Sequence, residues 1–350
     1  MRTLLGLWFT GALIVGLGFE ACYRLQWIDF YRPDLRRVND AGALDPGRAP
    51  RRTILVMGDS FTAWPNGYPS RLSQRLGPGT RVINSGVSGF TLRQVARLLP
   101  RRIAEFRPDT VVLQLFAGND LVEMEHPLAW TKVSPLRNLF WLVSNSGLES
   151  VGFVNYRLGS LVGSAMRGFR GDSPVGGGGG PEAAFSVSRY SEHEKTLIAA
   201  EPDYVEQQLE VSLRYRPAYS EYLSLLQRSF DLIDPAARKI VVLVVPHPLQ
   251  VHERYLERHR ILGGVAGHPR AIEPSTAFLR GLAGLVSSHP GIRLVDPLEA
   301  LRVREREGVT LFRATDLHLN AAGQEVLTGL LLPEIETPAR GSAPVRSSVR

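Results

Sequence analysis

Ile54-Leu55-Val56-Met57-Gly58-Asp59-Ser60-Phe61 reads as a strand that delivers a serine into a turn. Four consecutive apolar residues suit a strand buried on both faces, the kind found in parallel sheets, and a glycine then breaks the run. A serine hydroxyl is a weak nucleophile alone and needs a positioned base and hydrogen-bond donors for a developing oxyanion. Ser and Asp ahead of a helix are also ordinary capping residues, so this stretch by itself leaves both readings open.

Apolar runs of the same character recur at residues 81–84, 110–116 and 239–245, with one more short strand expected at 292–295. Helical spacing separates them at 69–76, 92–106 and 204–233, the last with Pro217 as a break or kink, and a final helix is expected over 321–332. Such alternation predicts an α/β fold with a doubly wound parallel sheet, in which sites form at the carboxyl ends of the strands. The folded domain is expected over residues 53–332, with an insertion at 121–202 where the alternation stops. Inside that insertion, Gly171 to Gly180 contains five consecutive glycines. A phosphate cradle would end in Gly-Lys-Ser/Thr, whereas Pro181-Glu182 follow here, so the run reads as a flexible loop. Residues 333–350 are expected to form a disordered tail.

The N-terminus speaks to location. Arg2 precedes an uncharged, mostly apolar stretch from Thr3 to Phe19, which predicts that residues 1–22 form a membrane anchor or signal and that 23–52 form a linker. Phe19-Glu20-Ala21 is a poor cleavage site, which favours an uncleaved transmembrane helix with Trp8, Tyr23 and Trp27 at the membrane interfaces. The domain is then expected on the exported, periplasmic or extracellular side, with secretion after cleavage as the alternative.

Composition narrows the partners. A chain of 350 residues with 44% hydrophobic content can bury one sizeable core. The net charge of +7 comes from scattered arginine, lysine occurring only at Lys132, Lys195 and Lys239, and no basic stripe interleaved with aromatics is present, so no nucleic-acid partner is expected. Cys22 is the sole cysteine, which excludes an intrachain disulfide and any CxxC site. No HExxH or comparable ligand set occurs, so neither metal nor cofactor is expected. His247 and His252 are assigned structural roles.

Three more stretches join the serine. Gly89, after the run at 81–84, lets the backbone approach a ligand and aim its N–H at it. Asn119, in Gly118-Asn119-Asp120 after the run at 110–116, carries an amide that can donate to an oxyanion, although Asn-Asp is also common turn chemistry. His318 in Thr315-Asp316-Leu317-His318-Leu319-Asn320 can accept the Ser60 proton while Asp316 orients the imidazole, or both can cap the helix that follows.

Taken together, the order and residue types of these four blocks resemble the GDSL/SGNH hydrolase family, whose blocks contribute a Ser, a Gly, an Asn and a His. The resemblance spans residues 53–332 and implies a flavodoxin-like three-layer α/β/α fold. It implies Ser60, His318 and Asp316 as catalytic residues, with Ser60, Gly89 and Asn119 forming the oxyanion hole. The family's usual Asp-x-x-His spacing would put the acid at Thr315, so either Asp316 reaches His318 from two residues away or the site is a Ser-His dyad. The implied activity is a serine-dependent ester hydrolase or O-acyltransferase acting on small-molecule or polysaccharide acyl esters, of carbohydrate or lipid. A non-catalytic polysaccharide- or surface-binding protein on the same fold is the alternative.

Overall fold

Runs of β-branched and aliphatic residues, with no polar face to offer water, become the interior strands of one sheet. The computed structural model describes residues 2–37, 50–125, 135–136, 139, 148–154, 156–158, 184–265, 273 and 275–337. The glycine run at 171–180 and the tail beyond 337 lie outside the described residues. Among those described, the strands are β1 (Arg36–Arg37), β2 (Arg52–Met57), β3 (Thr80–Asn84), β4 (Thr110–Phe116), β5 (Lys239–Val245) and β6 (Ile292–Val295). They lie in the order β1-β3-β2-β4-β5-β6. The strands from β2 to β6 are parallel, and every residue of β4 and β5 is buried. β1, inside the expected linker, adds an antiparallel edge, with Arg36 opposite Asn84.

The order reverses at β2: the chain first steps to β3 on one side and then back across to β4 on the other. Right-handed crossovers in opposite directions put their helices on opposite faces of the sheet. Accordingly, Tyr68–Leu76 packs with Ala321–Glu336, and Leu92–Phe106 packs with Arg216–Ile233. The reversal also opens a crevice between the carboxyl ends of β2 and β4, the general ligand position in open α/β sheets.

The helical region expected at 204–233 divides into Tyr204–Leu209 and Arg216–Ile233. The break lies ahead of Pro217, which occupies the first turn of the second helix, where a missing N–H costs nothing. The last helix continues to Glu336, past the expected end at 332, with Pro333 inside it.

The chain separates into two compact units, one of Met1–Pro33 with Leu128–Gly177 and one of Asp34–Pro127 with Gly178–Arg350, so the insertion expected at 121–202 is shared between them. In the smaller unit, Arg2–Arg24 is helical, but no helix among the described residues is long and apolar enough to cross a membrane. This corrects the expected transmembrane anchor. The uncharged stretch ends at Phe19, short of the ~20 apolar residues that a span requires. The end of the helix is instead engaged in polar and aromatic packing. The Glu20 carboxylate accepts the N–H groups of Glu149 and Ser150, each at 2.9 Å. Tyr23, expected at a membrane interface, is buried against Phe30 and Phe153, with ring centroids 5.7 and 5.9 Å away. Its hydroxyl meets that of Tyr31 at 2.8 Å.

The exit from β2 leaves no room for a side chain. A Cβ on Gly58 would lie 2.3 Å from Gln114 Oε1 and 2.6 Å from Thr62 Oγ1. Gly58→Ala is therefore expected to destabilise the protein by about 1–3 kcal/mol through overpacking. Denaturant melts of the variant and the parent check this, and an unchanged midpoint would contradict the packing described.

Candidate active site

The turn after β2 is fixed from below by a polar residue in an otherwise apolar strand. Gln114 of β4 presents Oε1 to the Asp59 N–H at 3.1 Å and to the Thr62 hydroxyl at 2.9 Å. A hydroxyl has one proton to give. Thr62 therefore accepts from Tyr68, whose hydroxyl is 2.7 Å away. Asp59 caps the short helix Ser60–Ala63 by accepting the Phe61 N–H at 2.8 Å. Capping thus falls to Asp59, and the Ser60 side chain is left for another partner.

That partner is His318, whose Nε2 lies 2.7 Å from Ser60 Oγ across 258 residues of sequence. The loop carrying it is closed by an antiparallel bridge between Phe312 and Leu319 and by the Arg313 N–H donating to the His318 carbonyl at 2.9 Å. Asn320 caps the following helix, accepting the N–H groups of Ala322 and Gly323 at 2.9 and 3.1 Å. His318 and Asp316 therefore do not serve as its cap. Phe61 packs beside the imidazole, the ring centroids being 5.0 Å apart.

The Asp-x-His spacing works through an Asx-type turn. Asp316 Oδ1 accepts the His318 backbone N–H at 2.8 Å and also faces its Nδ1 at 3.0 Å. One carboxylate oxygen thereby sets both the backbone and the ring of the same residue. With Nδ1 as the donor, Nε2 is an acceptor facing Ser60. The second Asp316 oxygen lies 3.6 Å from Arg313, which stacks on Trp64. Burial raises the Asp316 carboxyl, but the hydrogen bonds and charge of His318 and the charge of Arg313 outweigh it, so the group titrates below its usual range.

The turns after β3 and β4 complete the crevice. The Ser85 N–H donates to the Val56 carbonyl at 2.8 Å and the Val87 N–H to the Gly58 carbonyl at 3.1 Å, which ties the turn that leads to Gly89 to the serine turn. Gly89 is exposed with φ +78°, a left-handed conformation costly for any side chain with a Cβ. Asn119 is half-buried. Its turn is clamped by Gln208, which donates to the Gly118 carbonyl and accepts the Val122 N–H, both at 2.8 Å. Asp120 closes the other side, accepting from the Phe116 N–H at 3.1 Å and the Tyr222 hydroxyl at 2.7 Å.

Gln114, Gln208, Tyr222 and Arg313 were not singled out by sequence reasoning. Only Gln114 carried a signal, a polar side chain in a strand that is apolar after its first residue. His247 and His252 each cap a helix, accepting the N–H groups of Leu249 and Arg254.

Asp59 and Asp120 are both buried, and the Asp59 charge disfavours ionisation of Asp120. Burial, reinforced by the Asp59 charge, lifts the Asp120 carboxyl from 3.8 to about 8. The folded chain then holds a proton that the unfolded chain releases, and stability falls as pH rises from about 4 to about 8. Asp120→Asn retains an oxygen for both donors and removes the titration. Its thermal midpoint is expected to rise relative to the parent across that pH window, and parallel pH profiles would contradict a proton-binding Asp120.

Among solved structures, a catalytic mutant of an acetylxylan esterase from Geobacillus stearothermophilus aligns at 14% identity and TM-score 0.42, covering 83% of this chain and 97% of that one. The same esterase without that mutation aligns at 15% identity and TM-score 0.39, over 82% and 95% of the two chains. A gut microbial diltiazem-metabolizing enzyme aligns at 10% identity and TM-score 0.42, over 81% and 46%. No curated protein matches in sequence. A family model described as GDSL-like Lipase/Acylhydrolase matches residues 56–326, which contain every turn described above, and the chain belongs to that family.

Proposed function

We propose that this member of an acyl-ester hydrolase family is a serine esterase or O-acyltransferase with Ser60 as nucleophile. The observation that carries the reading is the unbroken hydrogen-bond chain from Ser60 Oγ through His318 to Asp316. As Ser60 Oγ attacks the ester carbonyl, His318 Nε2 takes its proton and Asp316 stabilises the resulting imidazolium. The oxyanion is met by the Ser60 and Gly89 N–H groups and the Asn119 amide. Collapse of the tetrahedral adduct expels the alcohol, protonated by His318, and leaves an acyl-serine. Water or an acceptor hydroxyl then attacks that acyl-serine, giving hydrolysis or transfer.

The substrates are acyl esters of carbohydrate or lipid, in small molecules or polysaccharides. A contact of 2.7 Å between Ser60 and His318 leaves no place for an intervening water and counts against a binder that only retains the fold. Arg2 and the apolar stretch after it favour an exported domain. Digestion of intact cells by added protease checks that location, since a domain protected until lysis would contradict it.

Turnover of p-nitrophenyl acetate tests the chemistry. Ser60→Ala is expected to abolish it, and equal rates would sink the nucleophile assignment. Asp316→Asn is expected to lower kcat by about 10⁴-fold, as when a tautomer-fixing carboxylate is lost, whereas an undiminished rate would mean a dyad. Asn119→Ala is expected to lower kcat by about 10²–10³-fold, the effect of one oxyanion donor.

A further inference from the structure

The loop that carries Asp316 and His318 is a ribbon of two very short extended segments. Residues 311–313 run antiparallel to 318–320: the Asn320 N–H donates to the Leu311 carbonyl at 2.8 Å, Phe312 bridges Leu319, and the Arg313 N–H donates to the His318 carbonyl at 2.9 Å. A two-stranded ribbon of this length is not stable by its own contacts, so its register is set from outside. Each residue of its first segment is gripped by a side chain. The Leu311 N–H donates to Glu305 Oε1 at 2.8 Å, the Phe312 N–H donates to the Tyr255 hydroxyl at 3.2 Å, and the Arg313 carbonyl accepts from Arg258 at 3.3 Å. Helix Glu253–Ile261 supplies Tyr255 and Arg258, and helix Leu298–Arg306 supplies Glu305.

Glu305 and Tyr255 act as one unit. Glu305 is 1% exposed and Tyr255 5%, and the tyrosine hydroxyl donates to Glu305 Oε1. Burial, reinforced by the Glu305 carboxylate, raises the Tyr255 hydroxyl above its ordinary range. It therefore keeps the proton that it gives to Glu305 and offers a lone pair to the Phe312 N–H. The Tyr255 ring meets the Phe312 ring edge-on, with centroids 5.1 Å apart. The Glu305 charge is answered by Arg254, whose Nε lies 3.4 Å from Oε2, and Arg254 also donates to the Thr310 hydroxyl at 2.9 Å. Loss of either Glu305 or Tyr255 leaves buried polar groups unmet, and the segment is then driven to shift toward other partners.

We propose that Glu305 and Tyr255 are positioning residues for His318: by fixing the register of 311–313 against 318–320, they hold its Nε2 at 2.7 Å from Ser60 Oγ. The link is short. Arg313 is the last residue of the segment that the pair aligns, its N–H holds the His318 backbone, and its guanidinium faces the second oxygen of Asp316 at 3.6 Å. A shift of that segment therefore moves the base and its carboxylate together, while Ser60 stays with the end of β2. Neither Glu305 nor Tyr255 bonds to Ser60, His318 or Asp316, so the effect is carried by the backbone. The inference rests on the reading of His318 as the base that serves Ser60.

Turnover of p-nitrophenyl acetate by the full chain tests it, with the low-field proton resonance of the His318 Nδ1–H read in parallel. Tyr255→Phe and Glu305→Leu are expected to lower kcat by about 10²-fold, the cost of a misplacement of about 1 Å. KM should stay unchanged, and the resonance should shift or broaden. Glu305→Gln keeps an oxygen for both donors and should recover most of kcat together with the parent resonance. Parent kcat in Tyr255→Phe and Glu305→Leu, a loss confined to KM, or a Glu305→Gln variant as impaired as Glu305→Leu would overturn the inference. Ser60→Ala separates it from the reading beneath it. If Ser60→Ala retains the parent rate, the nucleophile assignment fails, and the resonance alone decides: a shift in folded Tyr255→Phe upholds the positioning of His318, and an unmoved resonance overturns it. If Tyr255→Phe and Glu305→Leu do not fold, amide hydrogen exchange of the parent chain decides. The Leu311 and Phe312 amides are expected to be as protected as those of β5, and exchange at the rate of exposed loops would overturn the inference.

Discussion

The chain leaves β2 through a gap that admits no side chain, and the crevice is organised around that exclusion. Val56 pairs with Asn84 on one side and with Val112 on the other, so β2 ends between two strands that end beside it. Gly58 has Gln114 and Thr62 where its Cβ would be, and a Cβ on Gly86 would lie 2.6 Å from Thr62. With both glycines in place, Thr62 fits between the turns after β2 and β3, and its carbonyl takes the Asn84 amide at 2.7 Å. Backbone contact at this density is what fixes Ser60 to within hydrogen-bond reach of a histidine from the other end of the domain.

Carboxylates do most of the polar construction, each in a different way. Asp59 caps, Asp120 braces the Asn119 turn with Tyr222, and Asp316 orients an imidazole. Burial raises the first two, whereas the third is held down by the groups that it binds. Protonated carboxyls can act as structural hydrogen-bonding groups at little electrostatic cost, while an ionised one beside His318 stabilises positive charge on the ring. The separation does not follow from depth alone: Asp316 is only half-buried, yet burial still raises it, and what its oxygens touch reverses the sign.

The interior strands were legible because an apolar run has few alternatives in an α/β chain. β1 was not, because a two-residue edge strand made of Arg36 and Arg37 has neither periodicity nor β-propensity to betray it. The N-terminal segment misled because hydropathy sees apolarity but not the partners of Glu20 and Tyr23, which come from residues 149–153. At the candidate site, Ser60, Gly89 and Asn119 could be named from their positions after apolar runs, and His318 from its place just before the last helix. The reach of Asp316 could not, because it depends on a turn in which one oxygen serves two donors. Gln208 and Tyr222 come from helices without motifs, and only the folded chain shows what they clamp.

The smaller unit is discontinuous, and this bears on the order in which the molecule assembles. Its two halves are joined by contacts such as Glu20 to Ser150, 130 residues apart in sequence, with β1 to β4 on the intervening chain. Closing a loop of that length by itself gains only a few hydrogen bonds and one aromatic cluster against the entropy lost. The parallel strands, by contrast, shorten the effective loop once they pair. Contacts of such separation slow folding.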